Sequence, residues 1–347
     1  MTVTLRNIFA IFISFATLSL PLSAQDEGNG LVKWLTLKEA QEKMKQFQKP
    51  IIIDFYTDWC GWCKHMMKTT YSNPGIADYI NNNFYPVKFN AEGKDTVEYN
   101  GKIYKPLSKD PKTPHELALK FLGEKLSYPS TIFITNNYEY TLLSQGYMEE
   151  RKLEPILVFM VENVWRSTVY DEFGKHFEHA FYDTTFKKVP VKMHTLAEVE
   201  KLLKTKPKKV LVSIGAGFCN SCRVQQRTTF VDTSIAAYIN KNYYLVNFDA
   251  TSNDTITFKN EKYFVSLVNG FPMNSVVLKL SNNKFSLPAL CIMDEKLNTI
   301  ETLNFYQSPA QIKPILEFFA SNTYKTKPWG DFIKEYTARA QTPPKKK

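Results

Sequence analysis

Cysteine is scarce in this chain, with five residues among 347. So few exclude a scaffold stapled by many disulfides, and the length with 44% hydrophobic content suits two ordinary globular domains instead. No basic and aromatic nucleic-acid motif accompanies the formal net charge of +10, so nucleic acid is not expected as a partner. The charge has one obvious run, Lys345 to Lys347, and reads as solvated surface, with attraction to an anionic envelope or acidic partners as the weaker reading. A long apolar span is also missing: Ile8 to Leu20 is almost wholly apolar, but it is short for a stable membrane crossing and Pro21 follows at once.

Arg6 is the only charge in this leader, and Leu22-Ser23-Ala24 offers a small-residue cleavage site before Gln25 and Asp26. Residues 1–24 are therefore expected to be a signal peptide rather than an anchor. No cysteine near that site could carry a lipid. The mature chain is expected to be soluble and exported, to the periplasm of a Gram-negative bacterium or else to the extracellular space, where disulfides form and persist.

Four of the five cysteines form two close pairs, Cys60-Gly61-Trp62-Cys63 and Cys219-Asn220-Ser221-Cys222. A helical turn brings residues i and i+3 together, so both thiols can close a disulfide, while the helix N-terminus stabilises the first as thiolate. Cys291, between Ala289-Leu290 and Ile292-Met293, reads as a buried core thiol.

Subtracting 60 from 219 gives an offset of 159 that recovers features well outside the cysteines. Thr36-Leu37-Lys38-Glu39 becomes Thr195-Leu196-Ala197-Glu198, two capping boxes. Asn73 maps to Asp232 as an N-cap, Pro129 to Pro288, Tyr147 to Tyr306, and Pro155-Ile156-Leu157 to Pro314-Ile315-Leu316. Tyr170, Phe173 and Phe177 match Trp329, Phe332 and Tyr336, so each unit carries an aromatic C-terminal helix. The expected layout is a first domain over 31–180, a linker over 181–194, a second domain over 195–339 and a disordered tail over 340–347.

Within each unit a capped helix leads to an apolar strand (Ile51 to Tyr56; Val210 to Ile214), then the CxxC and a helix, then a short helix and another strand (Tyr85 to Phe89; Tyr244 to Phe248). Asn100-Gly101 signals a hairpin, Asn136-Asn137 splits a final strand pair, and Glu149 to Asn163 closes the first unit as a helix. The fold class is thus α/β, with two tandem domains that each hold a central mixed sheet covered by helices on both faces.

In the first unit, Ile52-Ile53-Asp54-Phe55-Tyr56, Trp59-Cys60-Gly61-Trp62-Cys63-Lys64, Val87-Lys88-Phe89-Asn90 and Tyr128-Pro129-Ser130-Thr131 resemble the thioredoxin superfamily over the whole unit. The unit is similar to exported bacterial thioredoxin-like proteins and to the redox end-domain of membrane thiol-disulfide interchange proteins. What the resemblance implies is a tandem thioredoxin-like thiol-disulfide oxidoreductase with protein disulfides or dithiols as partners, a membrane electron donor as a further partner, and no cofactor or metal. Cys60 is then the nucleophile and Cys63 the thiol that resolves the mixed disulfide. Asp54 is the buried carboxylate that takes the proton of Cys63, Lys88 its partner, Trp59 the aromatic before the pair, and Pro129 a cis proline where a substrate strand can pair. Trp62 departs from the Pro common between the cysteines, which leaves the potential open, while Asp54 with Lys88 leans toward reductase or isomerase work.

The second unit keeps Cys219, Cys222 and Pro288 but has Ser213 for Asp54, Asn247 for Lys88, Phe218 for Trp59 and Arg223 for Lys64. Two readings stay open for it, a slow redox pair and a structural disulfide. A four-thiolate zinc site is disfavoured because the pairs fall in different domains, and no acidic-cysteine-histidine cluster accompanies His176 and His179, which read as a solvated or partly packed face. His65 reads as a surface residue. The rival to an enzyme is a non-catalytic binding module or chaperone scaffold, which has no need of Asp54, Cys60, Cys63, Lys88 and Pro129 together.

Overall fold

A computed structural model describes residues 30–183 and 191–341. The expected leader, the lysine run at 345–347, residues 184–190 of the expected linker and most of the expected tail lie outside these residues.

The first unit runs α1 (Leu37–Gln46), β1 (Ile51–Tyr56), α2 (Gly61–Lys68), α3 (Pro74–Asn83), β2 (Tyr85–Asn90), a hairpin of β3 (Val97–Tyr99) and β4 (Lys102–Tyr104), α4 (Glu116–Leu122), β5 (Ser130–Ile134), β6 (Thr141–Gln145), α5 (Glu150–Val161) and α6 (Tyr170–Tyr182). Its sheet has the order β2-β1-β5-β6, with β1 parallel to β2 and antiparallel to β5. Successive strand residues face opposite sides. Ile52 therefore joins Met66, Met67, Ile80 and Leu157 on the side of α2, α3 and α5, while Ile51, Ile53 and Phe55 join Leu37, Ala40, Leu117 and Ala118 on the side of α1 and α4. A strand buried on both faces has to be apolar throughout, which is why the one charged residue inside β1, Asp54, stands out. Asn100 and Gly101 turn the hairpin with positive φ of 48° and 75°.

The second unit repeats the plan with β7 (Met193–His194), α7 (Leu196–Leu203), β8 (Lys209–Gly215), α8 (Asn220–Thr228), α9 (Thr233–Asn242), β9 (Tyr243–Asp249), β10 (Ile256–Phe258), β11 (Glu261–Tyr263), β12 (Val265–Val268), β13 (Phe271–Asn274), α10 (Val276–Leu280), β14 (Ala289–Met293), β15 (Thr299–Asn304), α11 (Pro309–Ala320) and α12 (Trp329–Gln341). Its sheet is ordered β15-β14-β8-β9-β7. Among the described residues the first unit has a single bridge from Leu35 to Val87 where β7 pairs with β9, and a bridge from Pro106 to His115 where β12 pairs with β13. Residues 193–194, inside the expected linker, thus complete the second sheet. Both capping boxes form, Thr36 with Glu39 and Thr195 with Glu198, and Asn73 and Asp232 cap α3 and α9. Among the described residues no helix is long and apolar enough to cross a membrane.

The units share a core. Helix α6 packs on α5 of its own unit and on α8 of the second, so Val224 and Tyr306 belong to the same apolar cluster as Ile52, Phe159 and Phe173. Phe173 is fully buried, with its ring 5.8 Å from Phe159 and 5.4 Å from Tyr306. The Tyr306 hydroxyl lies 2.6 Å from His176 Nδ1, and Arg227 donates to the Ala180 carbonyl at 2.7 Å. Phe173→Ala is expected to cost about 3–5 kcal/mol of stability, read as a lowered midpoint in guanidinium denaturation.

Candidate redox centre and its altered copy

Cys60 and Cys63 are joined as a disulfide with Cα atoms 5.3 Å apart. Thr57 N-terminal to them turns the chain out of β1, its carbonyl accepting from Cys60 N at 3.1 Å, and Cys60 then becomes the N-cap of α2. Its Sγ accepts the Cys63 N–H at 3.1 Å, so the outer sulfur sits on the positive end of the helix. In this disulfide state the two cysteines differ little in exposure, at 4% and 3%.

Around them lies an aromatic rim. Trp59 and Trp62 are exposed, at 65% and 62%. The Trp59 ring meets Tyr128 edge-on at 6.0 Å, and its Nε1 donates to the Glu92 carboxylate at 3.1 Å. Tyr128 precedes Pro129, and that bond is cis, as is Leu287-Pro288 in the second unit. Trp59 and Pro129 are thus brought to one edge. Trp62 sits 5.6 Å from His65 and 5.7 Å from Tyr147, which places His65 in the rim.

On β1, six residues before Cys60, Asp54 is fully buried on the α2 side of the strand, opposite Lys88 on β2 and Thr131 on β5. Tyr71 and Thr131 hydroxyls donate to its Oδ1, each at 3.5 Å, and its Oδ2 is buried without a hydrogen-bond partner. Burial pushes the Asp54 carboxyl up to about 7, against the opposing pull of the Lys88 charge and the two hydroxyls. The Lys88 ammonium lies 4.9 Å from the Tyr56 ring centroid. Such a carboxyl can take or give a proton near neutrality.

The roles of Tyr71 and Thr131 were not read from the sequence, although the duplication carries a signal for both. Under the offset of 159 they become Phe230 and Leu290, in the same copy where Asp54 becomes Ser213 and Lys88 becomes Asn247. The whole polar set is lost together. Cys219 and Cys222 still form a disulfide, Cα to Cα 5.3 Å, with Cys219 capping α8 as Cys60 caps α2.

One acidic residue of the second centre has no sequence signal. Glu162 follows α5 of the first unit, and its Oε1 accepts from Asn220 N at 2.9 Å while its Oε2 accepts from Ser221 N at 2.7 Å and from the Ser221 hydroxyl. Oε2 lies 3.6 Å from Cys219 Sγ. Burial raises the Glu162 carboxyl, and the Ser221 and Asn220 donors pull it back. A cavity of about 250 Å³, lined by Gly215, Gly217, Cys219, Cys222, Gln226 and Asn247, borders the pair. Of the remaining candidates, Cys291 is buried in β14 with its thiol pushed up to about 12, His176 is engaged by Tyr306, and His179 meets Asp183 at 2.8 Å.

Two mixed sheets flanked by helices, each presenting a dithiol pair at a strand-to-helix junction, define a tandem thioredoxin-like protein. The chain belongs to the thioredoxin-like DsbH family, described as a protein of unknown function, DUF255, whose model matches residues 22–186 and again 176–304. It is 37% identical over 57 residues to the thiol:disulfide interchange protein DsbD of Vibrio vulnificus strain YJ016, covering 16% of this chain and 10% of that protein. DsbD of strain CMCP6 is 39% identical over 49 residues, covering 13% and 8%. The chain thus spans about a tenth of the length of these curated relatives. Among solved structures, a thioredoxin-fold protein from Helicobacter pylori is 18% identical, with TM-score 0.29, over 47% of this chain and 90% of that one. The oxidised C-terminal domain of Neisseria meningitidis DsbD is 19% identical, with TM-score 0.24, over 33% and 84%.

A buried carboxyl raised from an unfolded value of about 3.9 to about 7 binds more protons folded than unfolded between those values. Stability is therefore lost as pH rises from about 4 to about 7 and stays lower above. Asp54→Asn is expected to remove this slope and to stabilise the chain at pH 8 by on the order of 3 kcal/mol, measured by denaturation at pH 5 and pH 8.

Proposed function

We propose that this protein is a thiol-disulfide oxidoreductase that works through Cys60 and Cys63 on protein disulfides of the cell envelope, as a reductase or isomerase. The observation that carries the reading is the buried Asp54 carboxyl, held near neutrality behind a cysteine pair whose outer sulfur caps a helix. A non-catalytic scaffold would have no use for a buried carboxyl with one oxygen unpartnered. Export is supported by the apolar leader and its small-residue cleavage site, and work in the periplasm of a Gram-negative bacterium belongs to the same proposal.

In the reduced protein the Cys60 thiolate attacks one sulfur of a substrate disulfide. A bond forms between Cys60 and that sulfur, and the other substrate sulfur leaves as thiolate. Cys63 then passes its proton to Asp54 and attacks Cys60 Sγ, which breaks the mixed disulfide. The substrate departs with two electrons gained, and Cys60 with Cys63 returns to the disulfide. An electron donor, a dithiol or a membrane protein, restores the thiols. Lys88 keeps part of the Asp54 charge compensated, and the rim of Trp59, Trp62 and Tyr147 offers apolar surface to an unfolded substrate segment beside cis Pro129.

Reduction of insulin by the reduced chain tests this. Cys60→Ser is expected to abolish it, and full activity in that variant would overturn the assignment. Since Asp54 accepts the proton only when ionised, the wild-type rate is expected to rise with pH through about 7. Asp54→Asn should lose that inflection and run about tenfold or more slower at pH 7.5. Cys63→Ser should accumulate mixed disulfides through Cys60, identifiable by mass spectrometry of envelope extracts.

A further inference from the structure

We infer that Glu162, a residue of the first unit, holds the second cysteine pair in its disulfide state by denying Cys219 the thiolate form. At most helix N-termini the free N–H groups and the helix dipole favour a negative charge. At α8 a carboxylate has already taken that place. Glu162 accepts from Asn220 N and Ser221 N at 2.9 and 2.7 Å and also from the Ser221 hydroxyl, and its Oε2 stands 3.6 Å from Cys219 Sγ. A thiolate on Cys219 would keep the Cys222 N–H at 3.1 Å, as Cys60 keeps that of Cys63, but it would meet this negative charge at contact distance while the Asn220 and Ser221 donors are already engaged. At the matching end of α2, Gly61 and Trp62 receive no such carboxylate among the described residues.

Among the described residues no positive charge is paired with Glu162. Tyr79 of α3 faces Glu162, and the arginines of α8 are directed at α6, Arg223 over the Phe181 ring at 5.3 Å and Arg227 on the Ala180 carbonyl. Glu162 is also foreign to the repeat, since the offset places Ser321 at its position in the second unit. It is contributed across the junction between the units.

For a dithiol reductant, opening the Cys219–Cys222 bond makes two thiols while the reductant closes its own disulfide, and both electrons and both protons come from the reductant. At Cys219 that proton stays on sulfur. The reduced form gains nothing from ionisation, so the equilibrium lies further toward the disulfide, and a reduced Cys219 is a slow nucleophile. Access is not the obstacle, because the cavity of about 250 Å³ borders both cysteines.

The test uses the full chain carrying Cys60→Ser and Cys63→Ser, so it reads the second pair alone and is indifferent to whether the first pair turns over. Equilibration with dithiothreitol and alkylation of Cys219 with iodoacetamide at pH 7 are compared with and without Glu162→Gln. The variant is expected to make about tenfold more thiolate at pH 7, the effect of one pKa unit, and so to raise the alkylation rate about fourfold once the lower nucleophilicity of a more acidic thiol is counted. The equilibrium constant for reduction should follow only above about pH 8.5, where the thiolate is populated. An alkylation rate within about twofold of the parent, or a pair harder to reduce at high pH, would overturn the proposal and leave Glu162 a helix cap only. If Glu162→Gln does not fold, the parent chain decides: Cys219 is expected to titrate above the about 8.5 of a free cysteine, and a lower value overturns the proposal.

Discussion

A carboxyl buried in the middle of a strand is costly, and the first unit is organised around keeping one there. Asp54 lies on the strand that forms the centre of its sheet, between β2 and β5, with apolar neighbours on the same chain. Two hydroxyls and one ammonium offset part of the desolvation, and one oxygen is left without a partner. The unoffset part raises the proton affinity to the range where thiol exchange runs. Fold and chemistry meet at this residue, since the parallel and antiparallel registers that build the sheet also bring Lys88 and Thr131 beside it.

The second unit shows what the same frame does when that residue is absent. Without a buried charge there is no need for hydroxyl donors, and Phe230 and Leu290 fill the places of Tyr71 and Thr131 with apolar groups. The half of the rim face that carries Trp62 and Tyr147 in the first unit is covered in the second, where Ser221 and Tyr306 are buried, while Phe218 at the place of Trp59 stays exposed. Tyr147 borders the exposed Trp62, whereas Tyr306 at the matching place is buried against Phe173 and His176. The first unit's C-terminal helix packs on that half of the second unit's face.

Much of this could be read from residues in order. The offset of 159, the capping boxes, the hairpin at Asn100-Gly101 and the strand-helix alternation depend on short-range patterns, and the structure has them where the patterns place them. Asp54 and Lys88 were readable because the register of neighbouring strands follows from the family's spacing. Tyr71 does not stand out in the order of residues, since a tyrosine after a helix is ordinary until the fold brings its hydroxyl to Asp54. Glu162 was beyond sequence reasoning altogether. Its role comes from the packing of one repeat on the other, and internal symmetry is silent about the residues that break it.

The central claim is that one copy turns over and the other does not, and separate removal of each pair measures it most directly. Insulin reduction by a chain with Cys219→Ser and Cys222→Ser is compared with that by a chain with Cys60→Ser and Cys63→Ser. The account predicts near wild-type turnover in the first and none above background in the second. Turnover carried by Cys219 and Cys222 alone would contradict it.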